Sequence, residues 1–232
     1  RVDSEFKMNF NPKIVTDGLI LCLDAADKKS YSGSGTTWYD RSGNNDNATL
    51  IDGAAFSADG GGCIACDGAD DYVELQPIAQ DNGSIEIWIK TSFDGTYSYA
   101  FGQNNSSDSA VNAMAIHSTA SYSGEFWVRN AAGSEIGDVF TTDPLNDGVW
   151  HQVVCMWGSE GMKIYVDGIL NDTDSSTVNG TSANQTHLRL GGLTTTNYFC
   201  PISFAIARIY SIQLTDAEVI QNYNAMRGRF GI

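Results

Sequence analysis

The sequence predicts an antiparallel all-β sandwich or barrel, closed by a short amphipathic helix near the C terminus. Three observations lead to this prediction. Several short segments alternate apolar and polar residues with a period of two. The chain has 24 glycines against 4 prolines, a ratio typical of many tight turns between short strands. One segment near the C terminus has the capping residues and the apolar spacing of a helix.

Five alternating segments are predicted as strands. They lie at 84–90, 125–133, 151–157, 162–170 and 187–192. In the first, Ile85, Ile87 and Ile89 share one face, which we expect to line the core. The corresponding face of the segment 151–157 comprises Val153, Cys155 and Trp157. That of the segment 162–170 comprises Met162, Ile164 and Val166. The dipeptide Asp167-Gly168 predicts a two-residue hairpin within the fourth segment.

The predicted helix covers 214–228. Thr215 is the N-cap and Glu218 follows three residues later, which is the pattern of a capping box. Leu214, just before the cap, is placed to contact Val219 and form a hydrophobic staple. The buried stripe comprises Val219, Tyr223 and Met226. Gly228 is expected to end the helix, which would then lie on the sandwich.

The charge balance limits the classes of partner. The chain has 13 Lys and Arg against 28 Asp and Glu, a net charge of -15, so nucleic acid and anionic membranes are not expected as partners. It lacks a run of roughly 20 apolar residues that could span a bilayer. With neither a repeat nor a linker, residues 17–232 are predicted as one domain, and residues 1–16 as an N-terminal arm or a remnant of another segment.

The stretch "GGCIACDGADDYVEL" (61–75) contains a CxxC pair that resembles a redox or zinc motif. On an extended strand, however, Cys63 and Cys66 point to opposite faces. A zinc site would also need a second ligand pair at short spacing, and the remaining three cysteines stand alone. We therefore expect buried, unreactive thiols.

The acidic turn in the same stretch is a candidate calcium site. Asp67, Asp70 and Asp71 flank a glycine, so a tight turn could direct their carboxylates toward one point. A second oxygen-rich loop at 38–50 includes Asp40 and Asn45 among its polar residues. Two interpretations stay open: one calcium ion held by both loops, or Asp and Asn side chains that only stabilise turns.

No catalytic motif is recognisable in the sequence. It contains no GxSxG elbow, no HExxH helix and no phosphate-binding loop. A β-sandwich glycosidase needs two carboxylates that converge on one bond. The strand at 84–90 has Glu86, Trp88 and Lys90 on its polar face, so it offers no second acid. The chain is therefore predicted not to be an enzyme.

Four stretches together resemble a known family. They are "GLILCLDAADKKSYSGSGTTWYDRSGNNDNATLIDGAAF" (18–56), "CDGADDYVEL" (66–75), "DGVWHQVVCMWGSEGMKIYVDGIL" (147–170) and "FAIARIYSIQLTDAEVIQNYNAMRGRFG" (204–231). In order and spacing they resemble laminin G-like, concanavalin A-type lectin/glucanase domains found in tailed bacteriophages, particularly phages of marine bacteria and cyanobacteria. Cys66 stands where that family usually has Phe.

The resemblance implies an antiparallel jelly-roll β-sandwich of the concanavalin A-like type. It also implies binding of carbohydrate or protein surfaces, and in some members a structural calcium ion near the acidic turn. The ligands would come from Asp40, Asn45, Asp67, Asp70 and Asp71. The "E-x-D-x-x-E" motif of related laminarinases is absent, so binding is favoured over hydrolysis.

Two main functional hypotheses follow from the resemblance. The first is a phage virion protein, displayed on the particle surface, whose lectin-like domain attaches to host glycans. Aromatic rings stack on sugars, and the candidate binding residues are Trp38, Tyr97, Tyr99, Tyr122 and Tyr198. The alternative is a capsid decoration or fibre protein that only docks to other virion proteins, with residues 1–16 as its anchor. Whether the chain forms a homo-oligomer is left open.

A third hypothesis, an endoglucanase-like hydrolase, makes a specific structural prediction. It requires an acidic neighbour of Glu86 across the sheet, within an open cleft.

Overall fold

Two antiparallel β-sheets face each other and bury the main hydrophobic core between them. The computed structural model describes residues 13–78, 81–105, 110–119, 121, 123–130, 134–178, 185–193 and 198–232. Within these residues every strand pair is antiparallel and a single α-helix follows the last strand. The predicted all-β sandwich with a C-terminal helix is confirmed.

Sheet A has eight strands among the described residues. They are β1 (Leu19–Asp24), β4 (Ala55–Ser57), β5 (Cys63–Asp67), β7 (Gly83–Thr91), β12 (Trp150–Trp157), β13 (Met162–Val166), β14 (Ile169–Asp174) and β16 (Pro201–Tyr210). Their spatial order is β14-β13-β12-β7-β16-β5-β4, and β1 pairs with the second half of β16. Strand β7 is therefore central, with long neighbours on both sides.

Sheet B also has eight strands in the described part of the chain. They are β2 (Thr37–Trp38), β3 (Ala48–Ile51), β6 (Tyr72–Leu75), β8 (Ser98–Asn105), β9 (Ala110–Ile116), β10 (Gly124–Arg129), β11 (Glu135–Thr141) and β15 (Gln185–Leu190). Their spatial order is β11-β10-β9-β8-β15-β6-β3-β2. Strands β8, β9, β10 and β11, which are consecutive in the sequence, are therefore also adjacent in this sheet.

The period-two pattern of the sequence identifies the core face correctly. Ile85, Ile87 and Ile89 all belong to the core cluster between the sheets. The predicted faces of β12 and β13 belong to the same cluster: Val153, Cys155 and Trp157, and Met162, Ile164 and Val166. Each of the five predicted strands overlaps an observed one, although residues 131–133 of the segment 125–133 lie outside the described residues.

The hairpin between β13 and β14 has the predicted two-residue turn. Asp167 has φ 50° and Gly168 has φ 78°, so both central residues lie in the left-handed region that a type I′ turn requires. A side chain other than Gly is strained there, but Asp tolerates this conformation better than most residues. The Asp167 carboxylate accepts a hydrogen bond from the Gln152 backbone N–H at 2.9 Å, which ties the turn to β12.

The helix α1 (Asp216–Phe230) begins as predicted but ends later. Thr215 accepts a hydrogen bond from the Glu218 N–H, and the Glu218 carboxylate accepts one from the Thr215 N–H at 2.8 Å, which confirms the capping box. The predicted end at Gly228 is wrong, because the left-handed C-cap is Gly231. Phe230 packs against Trp88 with ring centroids 4.4 Å apart, so tertiary contacts extend the helix through Gly228.

Helix α1 covers the outer face of sheet A. Tyr223, Met226 and Phe230 pack against a cluster that includes Trp88 and Trp150 of the sheet. Its first turn packs on a second cluster, which comprises Val15, Val154, Met156, Tyr165, Tyr210, Leu214 and Val219. The staple between Leu214 and Val219 is part of that cluster. The helix thus occupies one outer face of the sandwich, and the outer face of sheet B has no helix on it within the described residues.

The segment just before β1 belongs to the domain. Val15 is buried in the second cluster, and its N–H donates to Oδ1 of Asn222 at 2.8 Å. The backbone carbonyl of Lys13 accepts from the Gln221 side chain at 2.7 Å. The described part of the predicted arm, residues 13–16, therefore packs on α1. Residues 1–12 lie outside the described residues.

Membrane insertion through a helix is not supported by the described residues. None of their helices combines the length and the apolar character that crossing a bilayer requires.

Candidate functional site

A cluster of aromatic side chains lies on the outer face of sheet B. Tyr97 is at its centre: its ring centroid is 5.1 Å from that of Tyr99, 5.5 Å from that of Tyr198 and 6.2 Å from that of Trp127. The His117 ring is 4.9 Å from that of Tyr97. Tyr99 and Trp127 form the buried base of the cluster, Tyr97 is half-buried, and Tyr198 is 46% exposed. We call this group the aromatic face.

Strand alternation explains why these rings gather here. On β10, Phe126 and Val128 point into the core, so Trp127 between them points outward. Its register partner on β9 is Ala113, and the partner of Tyr99 is Ala115. Small side chains at these positions let the large rings lie against the sheet.

Polar groups border the aromatic face. Nε2 of His117 lies 2.9 Å from Oε2 of Glu125, and the Arg129 guanidinium lies 5.8 Å from the centroid of the Trp127 ring. Burial raises the pKa of the Tyr97 hydroxyl, and so does its hydrogen bond to Tyr99. Burial also raises the pKa of Tyr99. Both hydroxyls therefore stay protonated at physiological pH.

The base of the cluster contains a buried hydrogen-bond donor. Among the described residues, Nε1 of Trp127 is buried and has no hydrogen-bond partner. A buried N–H without an acceptor costs stability.

The five aromatic residues predicted to bind a ligand do not all lie in one place. Tyr97, Tyr99 and Tyr198 meet in the aromatic face. Trp38 is wrong as a binding residue, because it is fully buried in the main core and has no face available to a ligand. Tyr122 lies outside the described residues. Trp127 was not among the candidates, although the alternation of β10 already indicated an outward position.

The three aspartates of the acidic turn are close together. Ligand oxygens of Asp67, Asp70 and Asp71 lie within 4.8 Å of one another. Asp67 and Asp70 are exposed, while Asp71 is 5% exposed. Burial raises the pKa of Asp71, and the charges of Asp67, Asp70 and Asp52 raise it further. The turn is therefore a concentration of negative charge that a cation would stabilise.

Hydrogen bonds within the turn use some of these oxygens. Oδ2 of Asp71 accepts from the Asp67 N–H at 3.0 Å, and Oδ1 of Asp67 accepts from the Ala69 N–H at 2.7 Å. In the described part of the chain, Oδ1 of Asp71 and Oδ2 of Asp67 have no such partner and remain for a cation. Carboxylate oxygens are suitable ligands for calcium, which would need further oxygens from water or backbone carbonyls to reach six to eight ligands.

The second predicted loop has a structural role at the edge of sheet A. Oδ1 of Asp40 accepts from the N–H groups of Cys22 and Ser42, and its Oδ2 accepts from the Ser42 hydroxyl. Asp40 is not part of the acidic group of the turn among the described residues. Asn45 has φ 63° and shapes the loop. The structure therefore gives Asp40 a turn-stabilising function and does not bring it to the three aspartates.

Glu86 is buried within a polar network under α1. Its Oε1 accepts from Trp88, from Gln152 and, at 2.9 Å, from Arg208, and its Oε2 accepts from Asn222 at 2.8 Å. Its cross-strand neighbours are Val154 and Arg208. Among the residues that the structure describes, Glu86 has no acidic neighbour across the sheet, and its side chain is 0% exposed rather than open to a cleft, so the structural prediction of the hydrolase hypothesis is wrong.

The CxxC pair has the geometry expected from the sequence. Cys63 packs in the cluster under α1, whereas Cys66 lies in the core between the sheets, so the two thiols point to opposite faces of β5. All five cysteines are free and buried. Burial raises the pKa of both thiols, which keeps them protonated and unreactive.

Comparison with known proteins agrees with this architecture. The Laminin G 3 family, described as the concanavalin A-like lectin/glucanases superfamily, matches residues 67–220, more than half of the chain. A search of the curated proteins gives no match.

Solved structures share the fold at low sequence identity. The binding domain of Paraclostridial Mosquitocidal Protein 1 superposes with a TM-score of 0.71 and 15% identity over 90% of this chain and 52% of that one. The binding domain of botulinum neurotoxin DC in complex with SialylT superposes with a TM-score of 0.69 and 17% identity, over 91% of this chain and 52% of that one. Trypanosoma rangeli sialidase superposes with a TM-score of 0.67 and 14% identity, over 91% of this chain and 33% of that one. This chain therefore spans about half the length of the two toxin structures and a third of the sialidase.

The family match, the two antiparallel sheets and the single C-terminal helix lead to one conclusion. The chain belongs to the concanavalin A-like lectin/glucanase superfamily.

Proposed function

We propose that this chain is a non-enzymatic, lectin-like module that binds glycans through the aromatic face. The observation that carries the proposal is the cluster of Tyr97, Tyr99, Trp127 and Tyr198 on the sheet face that α1 leaves uncovered. The solved neighbours support it, since two of them are binding domains and one of these is in complex with SialylT.

The arrangement of the two most accessible rings suits a sugar. The Tyr97 and Tyr198 rings are nearly perpendicular, at 82°, with centroids 5.5 Å apart. Together they form a corner, in which one ring can stack on the apolar face of a pyranose while the other contacts its edge. The Glu125 carboxylate and the Arg129 guanidinium nearby can accept from and donate to sugar hydroxyls.

A matched pair of variants tests the proposal. The chain is first screened on a glycan array, and the best ligand is titrated by calorimetry. Tyr198→Ala is expected to weaken binding roughly tenfold, because it removes one stacking surface from an exposed position. The control is Tyr39→Ala, since Tyr39 is 48% exposed and outside the aromatic face. Equal weakening by both variants, or no glycan bound at all, would refute the proposal.

We also propose a setting for this activity: the surface of a tailed-phage particle, where the module attaches to host glycans. The support is the sequence resemblance of residues 18–56, 147–170 and 204–231 to phage lectin-like domains. The partners would then be other virion proteins, with the N-terminal residues as the anchor. Soluble domain that competes with phage adsorption would support this setting. Particle incorporation that depends on residues 1–12, in a domain that binds no glycan, would instead favour a decoration protein.

We propose calcium as a structural ion of the acidic turn, held by Asp67, Asp70 and Asp71. At a calcium concentration 100 times the Kd, binding would stabilise the fold by about 2.7 kcal/mol, or a rise in Tm of roughly 5–11 °C. Asp71→Asn should abolish the rise, whereas Asp94→Asn, at an exposed position outside the turn, should retain it. A Tm that does not respond to calcium or to chelator would show that the aspartates only stabilise the turn.

A further inference from the structure

A cleft opens between the two sheets, and none of its lining residues belongs to the aromatic face. Its volume is about 310 Å³, which is within the range of small-ligand sites. Ile20 and Leu21 of β1 and Ile209 of β16 form its wall on the sheet A side. Pro77 and Ile78, which follow β6, form the wall on the sheet B side. The cleft is thus a solvent-open extension of the hydrophobic interior.

Both walls are held in place by hydrogen bonds. The buried Gln103 side chain donates to the Ile78 carbonyl and accepts from the Ile78 N–H, each at 2.8 Å. On the other side, the Ile20 carbonyl accepts from the Ser42 hydroxyl at 2.9 Å and from the Asn44 amide at 2.8 Å. These contacts fix the loop at 40–46 beside β1. The cleft is therefore preformed.

Three polar side chains at the rim are available to a ligand. The Asn44 Nδ2 group is bound to Ile20, so its Oδ1 is left as an acceptor. The Asp46 carboxylate and the Gln76 amide line the opening, and both residues are exposed. Within the described part of the chain, neither side chain has a hydrogen-bond or ion-pair partner. The rim is thus rich in acceptors and has one uncompensated negative charge.

We propose that this cleft binds a primary ammonium group carried on a short aliphatic chain. The aliphatic chain would pack between Ile20 and Ile78, and the ammonium group would donate to Asp46 and to Asn44 Oδ1. All the apolar wall residues are aliphatic, and the absence of an aromatic ring among the lining residues makes a sugar a poorer fit. The net charge of -15 raises the local concentration of cations and favours the same ligand.

The experiment follows the isoleucine methyl groups of the whole chain by NMR during titration. The probes are n-butylammonium, as a free amine, and Nα-acetyl-lysine methylamide, as a lysine side chain, both at constant ionic strength. Selective shifts of the Ile20, Ile78 and Ile209 methyls are expected, with a Kd of about 1–10 mM for ligands of this size. The probe that binds with the lower Kd shows whether the ammonium group belongs to a free amine or to a lysine side chain.

Two controls make the test decisive. Asp46→Asn should weaken butylammonium binding roughly threefold or more, because the exposed carboxylate supplies the charge interaction. Asp94→Asn removes the same charge from an exposed site outside the cleft and should leave the affinity unchanged. The neutral probe n-butanol should bind more weakly than butylammonium. The proposal is overturned if n-butanol binds as well, if both variants behave alike, or if the three methyls do not respond.

Discussion

Replacing Arg208 by Met should destabilise the domain strongly without affecting glycan binding. Nη1 of Arg208 lies 2.9 Å from Oε1 of Glu86, and the two side chains are 3% and 0% exposed. Burial opposes the charge of Arg208, but the adjacent Glu86 carboxylate outweighs it and raises the pKa of the guanidinium. Arg208→Met therefore leaves the Glu86 carboxylate buried without its counter-charge.

The structure allows the size of this effect to be worked out. At a charge separation near that of the contact, the attraction is about 4–6 kcal/mol with an effective dielectric constant of about 20. Breaking such a buried pair usually costs about 3–5 kcal/mol, since the remaining charge is partly relieved by its other partners. Those partners are Trp88, Gln152 and Asn222. For a domain of this size, that loss lowers Tm by roughly 6–20 °C.

Denaturant and thermal unfolding, followed by circular dichroism, measure the effect. The second variant is the double substitution Glu86→Gln with Arg208→Met, in which no charge is left. It should recover about 2 kcal/mol of the loss, because a neutral amide costs less to bury than a carboxylate. A cost of less than about 1 kcal/mol for Arg208→Met would contradict a strong contribution of the buried ion pair. A double variant that is less stable than the single one would show that the unpaired carboxylate is not the cause of the loss.

Three further predictions concern the helix and a histidine. Gly228→Ala should stabilise the domain by about 0.5–1 kcal/mol, because Gly228 is helical with open space around it, whereas Gly231→Ala should destabilise it, because φ is +76° there. Thr215→Ala should cost about 1 kcal/mol in the same unfolding assay, and a smaller loss than from exposed Thr16→Ala would contradict the capping role. His151 lies between two aspartates, at 2.8 Å and 3.2 Å, which raise its pKa although burial opposes them. Its contribution to stability is thus full below the unfolded-state pKa of about 6.5 and is lost as pH rises through the higher folded value. Urea unfolding between pH 5.5 and 9 should show this decline, and His151→Gln should remove it.

The strands and the core could be predicted because their information is local. Alternation in a short segment fixes which side chains share a face, and a face with Ile85, Ile87 and Ile89 must be buried somewhere. Trp38 shows the limit of local information. It lies in a two-residue strand with no alternation to assign its face, and its full burial depends on distant strands.

The beginning of the helix was more predictable than its end. A capping box is a contact between Thr215 and Glu218, three residues apart, so the sequence alone encodes it. The end depends on Phe230, which packs against Trp88 about 140 positions earlier in the chain. This packing extends the helix past Gly228, a residue that would end many helices.

The candidate site could be predicted only in part, because it is a product of strand order. Tyr97 and Tyr99 lie beside Trp127 because β8, β9 and β10 are adjacent in sheet B. Tyr198 joins them from the loop before β16. Residue type alone identified all three tyrosines as candidates, but the sequence contains no signal that they lie close together.

A crystal structure of the chain with its best array ligand is the most direct test of binding through the aromatic face. We expect a sugar ring in the corner between Tyr97 and Tyr198, intact after prolonged incubation, with its polar groups near Glu125 and Arg129. A ligand bound elsewhere on the surface, or a cleaved glycan, would contradict the claim that the aromatic face is the binding site of a non-enzymatic module.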